Sequence, residues 1–152
     1  GTQESYPRSA PAAVKPTRWG VVFWAEREDG MVLVRRRPPR GLLGGMMEFP
    51  STPWRDAAWS ATEAVAIAPV AARWKPLAGS LRHTFTHFHL RLDVLHGRCP
   101  IGGSEGAVAG EPRWCAPADF PALALPTLMK KVAKLATAAD RTSLLPLEPY
   151  ES

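Results

Sequence analysis

The 152-residue chain is predicted to fold as one α+β domain, a single mixed β-sheet with two helices, on three observations. The first is strict alternation across residues 88–94. Phe88, Leu90, Leu92 and Val94 point one way, and His87, His89, Arg91 and Asp93 point the other, the period of a half-buried strand. The second is Ser60-Ala61-Thr62-Glu63, which has the spacing of a helix-opening capping box. The third is the recurrence of Leu128, Val132 and Leu135 after Pro126, with Met129, Ala133 and Ala136 beside them, an amphipathic helix running to about residue 139.

The remaining elements follow in order. Residues 1–18 read as an interdomain linker, broken by Pro7, Pro11 and Pro16, and suggest a further domain on the N-terminal side. The domain proper spans 19–139, and 140–152 is a C-terminal tail. WGVVFWAE (19–26) is a first strand, Asp29-Gly30 a turn, and MVLVRRR (31–37) a second strand. Pro38 and Pro39 stop it, and the glycines at 41, 44 and 45 permit a tight bend. MMEFP (46–50) is a short strand, and the capped helix covers 61–68 and ends at Pro69. A short strand lies within 70–79. His83, Thr84, Phe85 and Thr86 break the alternation and read as a loop delivered onto the sheet edge. Residues 97–110 are Gly-rich and loop-like, and 111–117 hold a last strand, making about six strands in all.

Composition narrows the function. Hydrophobic residues make up 45% and charged residues 22%, ordinary for a soluble globular domain. No apolar run reaches membrane-spanning length, and the N-terminus has no apolar core of a signal peptide. Cys99 and Cys115 form no metal-binding spacing and are expected as free thiols. A net charge of +5 and a pI near 9.7 point to a polyanion, nucleic acid before membrane surface.

Arg35, Arg36, Arg37 and Arg40 form a basic run. Arg35 and Arg37 share a strand face, either a phosphate-binding edge or a sheet edge protected by charge. Arg82, His83 and His89 flank the central loop as further candidate backbone contacts. His87 and His89 share a face, but no carboxylate or thiol in the loop completes a metal site. Phosphate-binding glycine motifs and nucleophile elbows are absent from the sequence.

GLLGGMMEFP (41–50) and LRHTFTHFHLRLDVL (81–95), in this order, with a proline-rich segment before them and LPTLMKKV (125–132) after, resemble the C-terminal domain of bacterial MutY-type adenine DNA glycosylases. The likeness covers about residues 6–138. It implies a Nudix-like α/β/α sandwich with a mixed sheet and two main helices. It also implies a role in base excision repair: recognising 8-oxoguanine opposite the adenine to be excised. The family's Phe-Ser-His loop signature falls on Phe85, Thr86 and His87, with threonine replacing serine and keeping the hydroxyl. The implied partners are duplex DNA holding an 8-oxoguanine:adenine pair and the catalytic domain of the same protein, in a monomer of the bacterial cytoplasm. The resemblance places base-excision chemistry and a four-cysteine iron–sulfur cluster in an N-terminal domain, so this stretch is expected to carry neither a catalytic residue nor a cofactor.

Two alternatives stand beside that expectation. The first is a Nudix hydrolase of oxidised nucleotides. Such enzymes gather several glutamates of one helix around magnesium, whereas here Ser51-Thr52 replaces the opening glycines and the helix carries Glu63 alone. The second is a protein-interaction module of a repair complex, docking through the 97–110 loop or the tail.

Overall fold

The computed structural model describes residues 14–101 and 110–143. The expected linker up to residue 13, loop residues 102–109 and the tail from residue 144 lie outside them. Seven strands build one mixed sheet: β1 (Thr17–Arg27), β2 (Val32–Arg36), β3 (Met47–Glu48), β4 (Arg73–Pro76), β5 (Leu81–Thr84), β6 (His89–Cys99) and β7 (Arg113–Cys115). The order is β3-β2-β1-β6-β4, with β5 also on β6 and β7 also on β2. Helix α1 spans Ala61–Val65, a 3₁₀ turn spans Pro117–Ala122, and α2 spans Thr127–Ser143. The α+β class and the mixed sheet are as expected. The 3₁₀ turn is additional, and α2 passes the expected boundary at 139.

β1 and β6 form the spine, parallel and in register from Thr17 opposite His89 to Arg27 opposite Cys99. Both are rich in β-branched and aromatic residues that suit a pleated surface. At the β1–β2 turn Gly30 has φ +91°, a conformation open to glycine at little cost.

The two faces of the spine are covered unequally. Val22, Trp24, Leu90, Leu92 and Val94 meet Leu128, Met129, Val132 and Ala136 of α2 in the main core. Each large apolar side chain buried there contributes roughly 1.5–3 kcal/mol. On the opposite face Val21, Phe23 and Leu95 meet Ala64 of α1. The capping box forms as the spacing predicts: Glu63 N–H donates to Ser60 Oγ at 3.1 Å, and Ser60 N–H to Glu63 Oε1 at 2.9 Å. The helix is nonetheless little more than one turn long, shorter than the expected 61–68.

Three boundaries differ from expectation. β6 is half-buried only up to Val94. Leu95, His96 and Gly97 are all buried, because both faces are covered at that end. Residues 97–99 therefore belong to β6 and not to the Gly-rich loop. His83 and Thr84 are strand residues of β5, since β6 supplies them with a hydrogen-bonding partner strand, and the loop falls on 85–88. Cys99 and Cys115 are free and buried, and burial pushes both thiols up in pKa.

One polar contact ties β1 to β6 and makes stability pH-dependent. His96 Nε2 lies 3.3 Å from Glu26 Oε1, and Trp24 Nε1 donates to the same oxygen at 3.2 Å. The His96 contact holds the Glu26 carboxyl below its usual pKa. A depressed carboxyl stabilises the fold fully above its unfolded pKa near 4.5 and loses that contribution as pH falls through the lower folded value. Glu26→Gln is expected to shrink the drop in urea midpoint between pH 7 and pH values below about 4.5. Equal drops in both proteins would contradict this coupling.

Candidate nucleic-acid interface

β5 and β6 are joined by the four-residue turn 85–88. Thr84 pairs with His89, and Phe85 N–H donates to Phe88 O at 2.8 Å, which closes the turn. Lys15 Nζ donates to Phe85 O at 3.1 Å, and His89 N–H to Pro16 O at 2.9 Å, so the segment before β1 straps the base of the turn. Thr86 and His87 occupy the tip, both exposed. The two polar residues of the expected recognition triplet are therefore presented to solvent.

Phe85 is placed differently. It is half-buried and its ring turns inward. It stacks on Trp54 at a centroid distance of 6.0 Å and 26°, and lies 5.0 Å from Phe88 and 4.8 Å from His83. Aromatic contacts of this kind hold position beyond the area they bury. Direct contact of this ring with a base would require leaving all three partners. The ring is instead part of a pedestal under Thr86 and His87.

Trp54 is the residue of this pedestal that sequence reasoning missed. Backbone bridges from Ser51 to Val22 and from Arg55 to Trp19 lay the 51–55 segment across β1. The Trp54 ring then rests on Gly20, where a Cβ would come within 2.6 Å of Trp54 Cδ1. A glycine inside an otherwise bulky strand was the available signal, since such a residue marks a close approach. Guanidinium groups cap the aromatics: Arg37 lies 5.0 Å from the Trp54 ring centroid and Arg18 lies 5.1 Å from that of Phe88. Beside the pedestal opens a cleft of about 680 Å³, with Arg35, Arg37, Glu48 and Thr52 among its lining residues.

The expected backbone contacts fall into three settings. Arg35 and Arg37 hold Glu48: Arg35 Nε donates to Oε2 and Arg37 Nη1 to Oε1, each at 2.8 Å. Glu48 is 2% exposed, so these guanidiniums already neutralise a buried carboxylate. Arg40 is exposed in the bend after β2. Arg82 and His89 project from one face of the hairpin, while His83 lies on the other, where Lys131 Nζ donates to its Nδ1 at 3.0 Å. Burial first, and the Lys131 ammonium second, hold the His83 pKa below the ordinary value, so the ring is neutral at pH 7.

The helix that would carry a hydrolase's magnesium ligands has one carboxylate. Glu63 is committed to the capping box and to Arg55 Nη2 at 2.8 Å. Among the described residues no three His, Cys, Asp or Glu side chains gather as a metal site. These side chains do not fit the magnesium centre of Nudix hydrolysis.

Comparison with known proteins places this arrangement. Residues 21–135 match the family described as NUDIX domain. The chain belongs to the Nudix family. The expected kinship with adenine DNA glycosylases is also borne out. This Nudix chain is 32% identical over 116 residues to the adenine DNA glycosylase of Homo sapiens, covering 68% of the chain and 20% of the relative. It thus spans about a fifth of the length of that curated relative. Among solved structures, the C-terminal domain of mouse MUTYH, from its complex with human PCNA, superposes with a TM-score of 0.63 at 24% identity. That match covers 87% of this chain and 94% of the other. The MutT protein from Methanosarcina mazei superposes with a TM-score of 0.62 at 18% identity, covering 85% and 96%. At these identities both structures speak for the Nudix fold alone.

Proposed function

We propose that this Nudix domain is the lesion-recognition module of an adenine DNA glycosylase, reading 8-oxoguanine opposite adenine through the tip of the β5–β6 turn. The observation that carries this reading is the exposed Thr86–His87 pair held on the Trp54–Phe85–Phe88 pedestal. Oxidation of guanine turns N7 from an acceptor into an N–H donor and adds an oxygen at C8. The Thr86 hydroxyl accepts from N7–H of the oxidised base, and unmodified guanine has no hydrogen to offer there. Leaving that polar contact unsatisfied costs about 1–3 kcal/mol. His87 orients the hydroxyl or donates to a neighbouring phosphate, and Phe85 acts as support.

A rigid tip suits this task, because discrimination between two bases that differ at N7 and C8 needs a hydroxyl held in one place. The exposed Arg36, Arg40 and Arg82 add sequence-independent attraction to the DNA backbone. The hydrolase alternative has less support, because Glu63 is the lone carboxylate of α1 and serves as its cap.

The test is an NMR titration at low salt with short duplexes holding 8-oxoguanine:adenine or guanine:adenine. The native chain is expected to favour the oxidised duplex roughly tenfold, with shifts centred on residues 83–89. Thr86→Ala should remove the preference and Thr86→Ser should keep it. Equal shifts with both duplexes, centred on residues 35–40, would sink the reading.

A further inference from the structure

Helix α1 packs on Val21, Phe23 and Leu95, and the part of the same sheet face nearer the 85–88 turn is basic. Thr17 of β1, Thr84 and Arg82 of β5, and His89 and Arg91 of β6 share this face by register, since Thr17 and Thr84 both pair with His89, and Arg82 pairs with Arg91. These residues line a groove of about 440 Å³. It begins where the recognition turn ends and continues down the same hairpin.

Two features of the groove point to an anion. Arg82 and Arg91 are direct cross-strand neighbours on an antiparallel pair. Side chains so placed lie about 4.5–5.5 Å apart at Cβ, and like charges there are destabilising. Among the described residues neither arginine has an ion pair. Arg91 Nη2 donates to Ser80 Oγ at 3.3 Å. Asp93, the nearest acidic residue on this face, is exposed and bridges to neither arginine. The second feature is the 2.8 Å contact between Thr84 Oγ1 and His89 Nδ1, which fixes the imidazole at the groove wall. Two guanidiniums, an imidazole and a threonine hydroxyl form a set dominated by donors, suited to phosphate oxygens.

We propose that this basic face is a phosphate site that grips one phosphodiester of the DNA strand running from the recognition tip along the β5–β6 hairpin. A phosphate seated between Arg82 and Arg91 replaces their mutual repulsion with two charge-assisted contacts. The proposal rests on the DNA-binding reading, and it adds Arg91, Thr84 and Thr17 to the interface as a backbone clamp that does not sense the lesion. Register in the duplex is set by such contacts, while base identity is read at the tip.

The test measures duplex affinity of the full chain by fluorescence anisotropy across a salt series. Arg82→Gln and Arg91→Gln are each expected to weaken binding about three- to tenfold, equally for oxidised and undamaged duplexes. The double variant should reduce the slope of log K against log salt by about 0.9, the value for one phosphate. Each single variant should lose no more than that, because the remaining arginine still faces the same anion. Arg113→Gln, across the sheet on β7, should leave the slope unchanged. Thermal midpoints of the two variants should hold or rise, since a like-charge pair is relieved, which separates lost contact from lost folding. Unchanged slopes with an intact preference for the oxidised duplex overturn the clamp and spare the recognition reading. Reduced slopes in a chain without lesion preference do the reverse. Absence of binding to any duplex at low salt overturns both.

Discussion

Glu48→Ala is expected to destabilise the domain by about 3–5 kcal/mol, the cost of removing one partner from a buried ion pair. Both carboxylate oxygens of Glu48 are occupied, one by Arg35 Nε and one by Arg37 Nη1, each at 2.8 Å. The same guanidiniums reach outward: Arg35 Nη2 donates to Ser51 O at 3.2 Å, and Arg37 Nε to Leu42 O at 3.1 Å. Glu48 thus ties β3 to β2, to the bend between them and to the segment that delivers Trp54. Alanine leaves two half-buried cations facing each other with no counter-charge. The thermal midpoint should fall on the order of 10 °C. Glu48→Gln keeps an acceptor without the charge and should fall between native and alanine. Calorimetry of the three proteins decides it, and a loss below about 1 kcal/mol for alanine would show that water replaces the carboxylate freely.

Trp54→Ala should affect both stability and recognition. The ring is half-buried, so the expected loss is about 2–3 kcal/mol, below the 3–5 kcal/mol typical of a fully buried tryptophan. Its removal opens a cavity over Gly20 and takes away the surface on which Phe85 stacks. Phe88, 6.2 Å from the Trp54 ring, and Arg37, 5.0 Å from it, lose a partner too. The 85–88 turn would then sample several conformations. The preference for an 8-oxoguanine:adenine duplex should fall towards one although Thr86 is still present. Trp54→Phe should restore most of both properties, because a smaller ring still backs Phe85. The comparison is made well below the melting temperature of each variant. Full preference in a folded Trp54→Ala chain would show that the turn holds its shape unaided.

Elements whose signal is local were legible in the residues. The alternation of 88–94, the Ser60–Glu63 box and the repeat of Leu128, Val132 and Leu135 each report a period or a contact within a few residues, and each element formed. The two polar residues of the tip were legible for a similar reason: a short polar interruption ahead of a strong strand marks a turn. The exact turn was not, because His83 and Thr84 take strand geometry only once β6 offers hydrogen-bond partners.

The sequence by itself determined the α+β class, the Nudix kinship and the stretch that carries Thr86 and His87. Tertiary structure alone decided what each side chain there is for. Arg35 and Arg37 read as either a phosphate edge or a charge-protected sheet edge until β3 sets Glu48 opposite Arg35. Phe85 read as one of three recognition residues until Trp54, 31 positions earlier, stacked against its ring. The basic face between β5 and β6 is set by register alone, which brings Arg82 opposite Arg91 and Thr84 opposite His89. In each case the deciding partner is distant in sequence, and a charge or a ring takes its role from whichever neighbour the fold supplies.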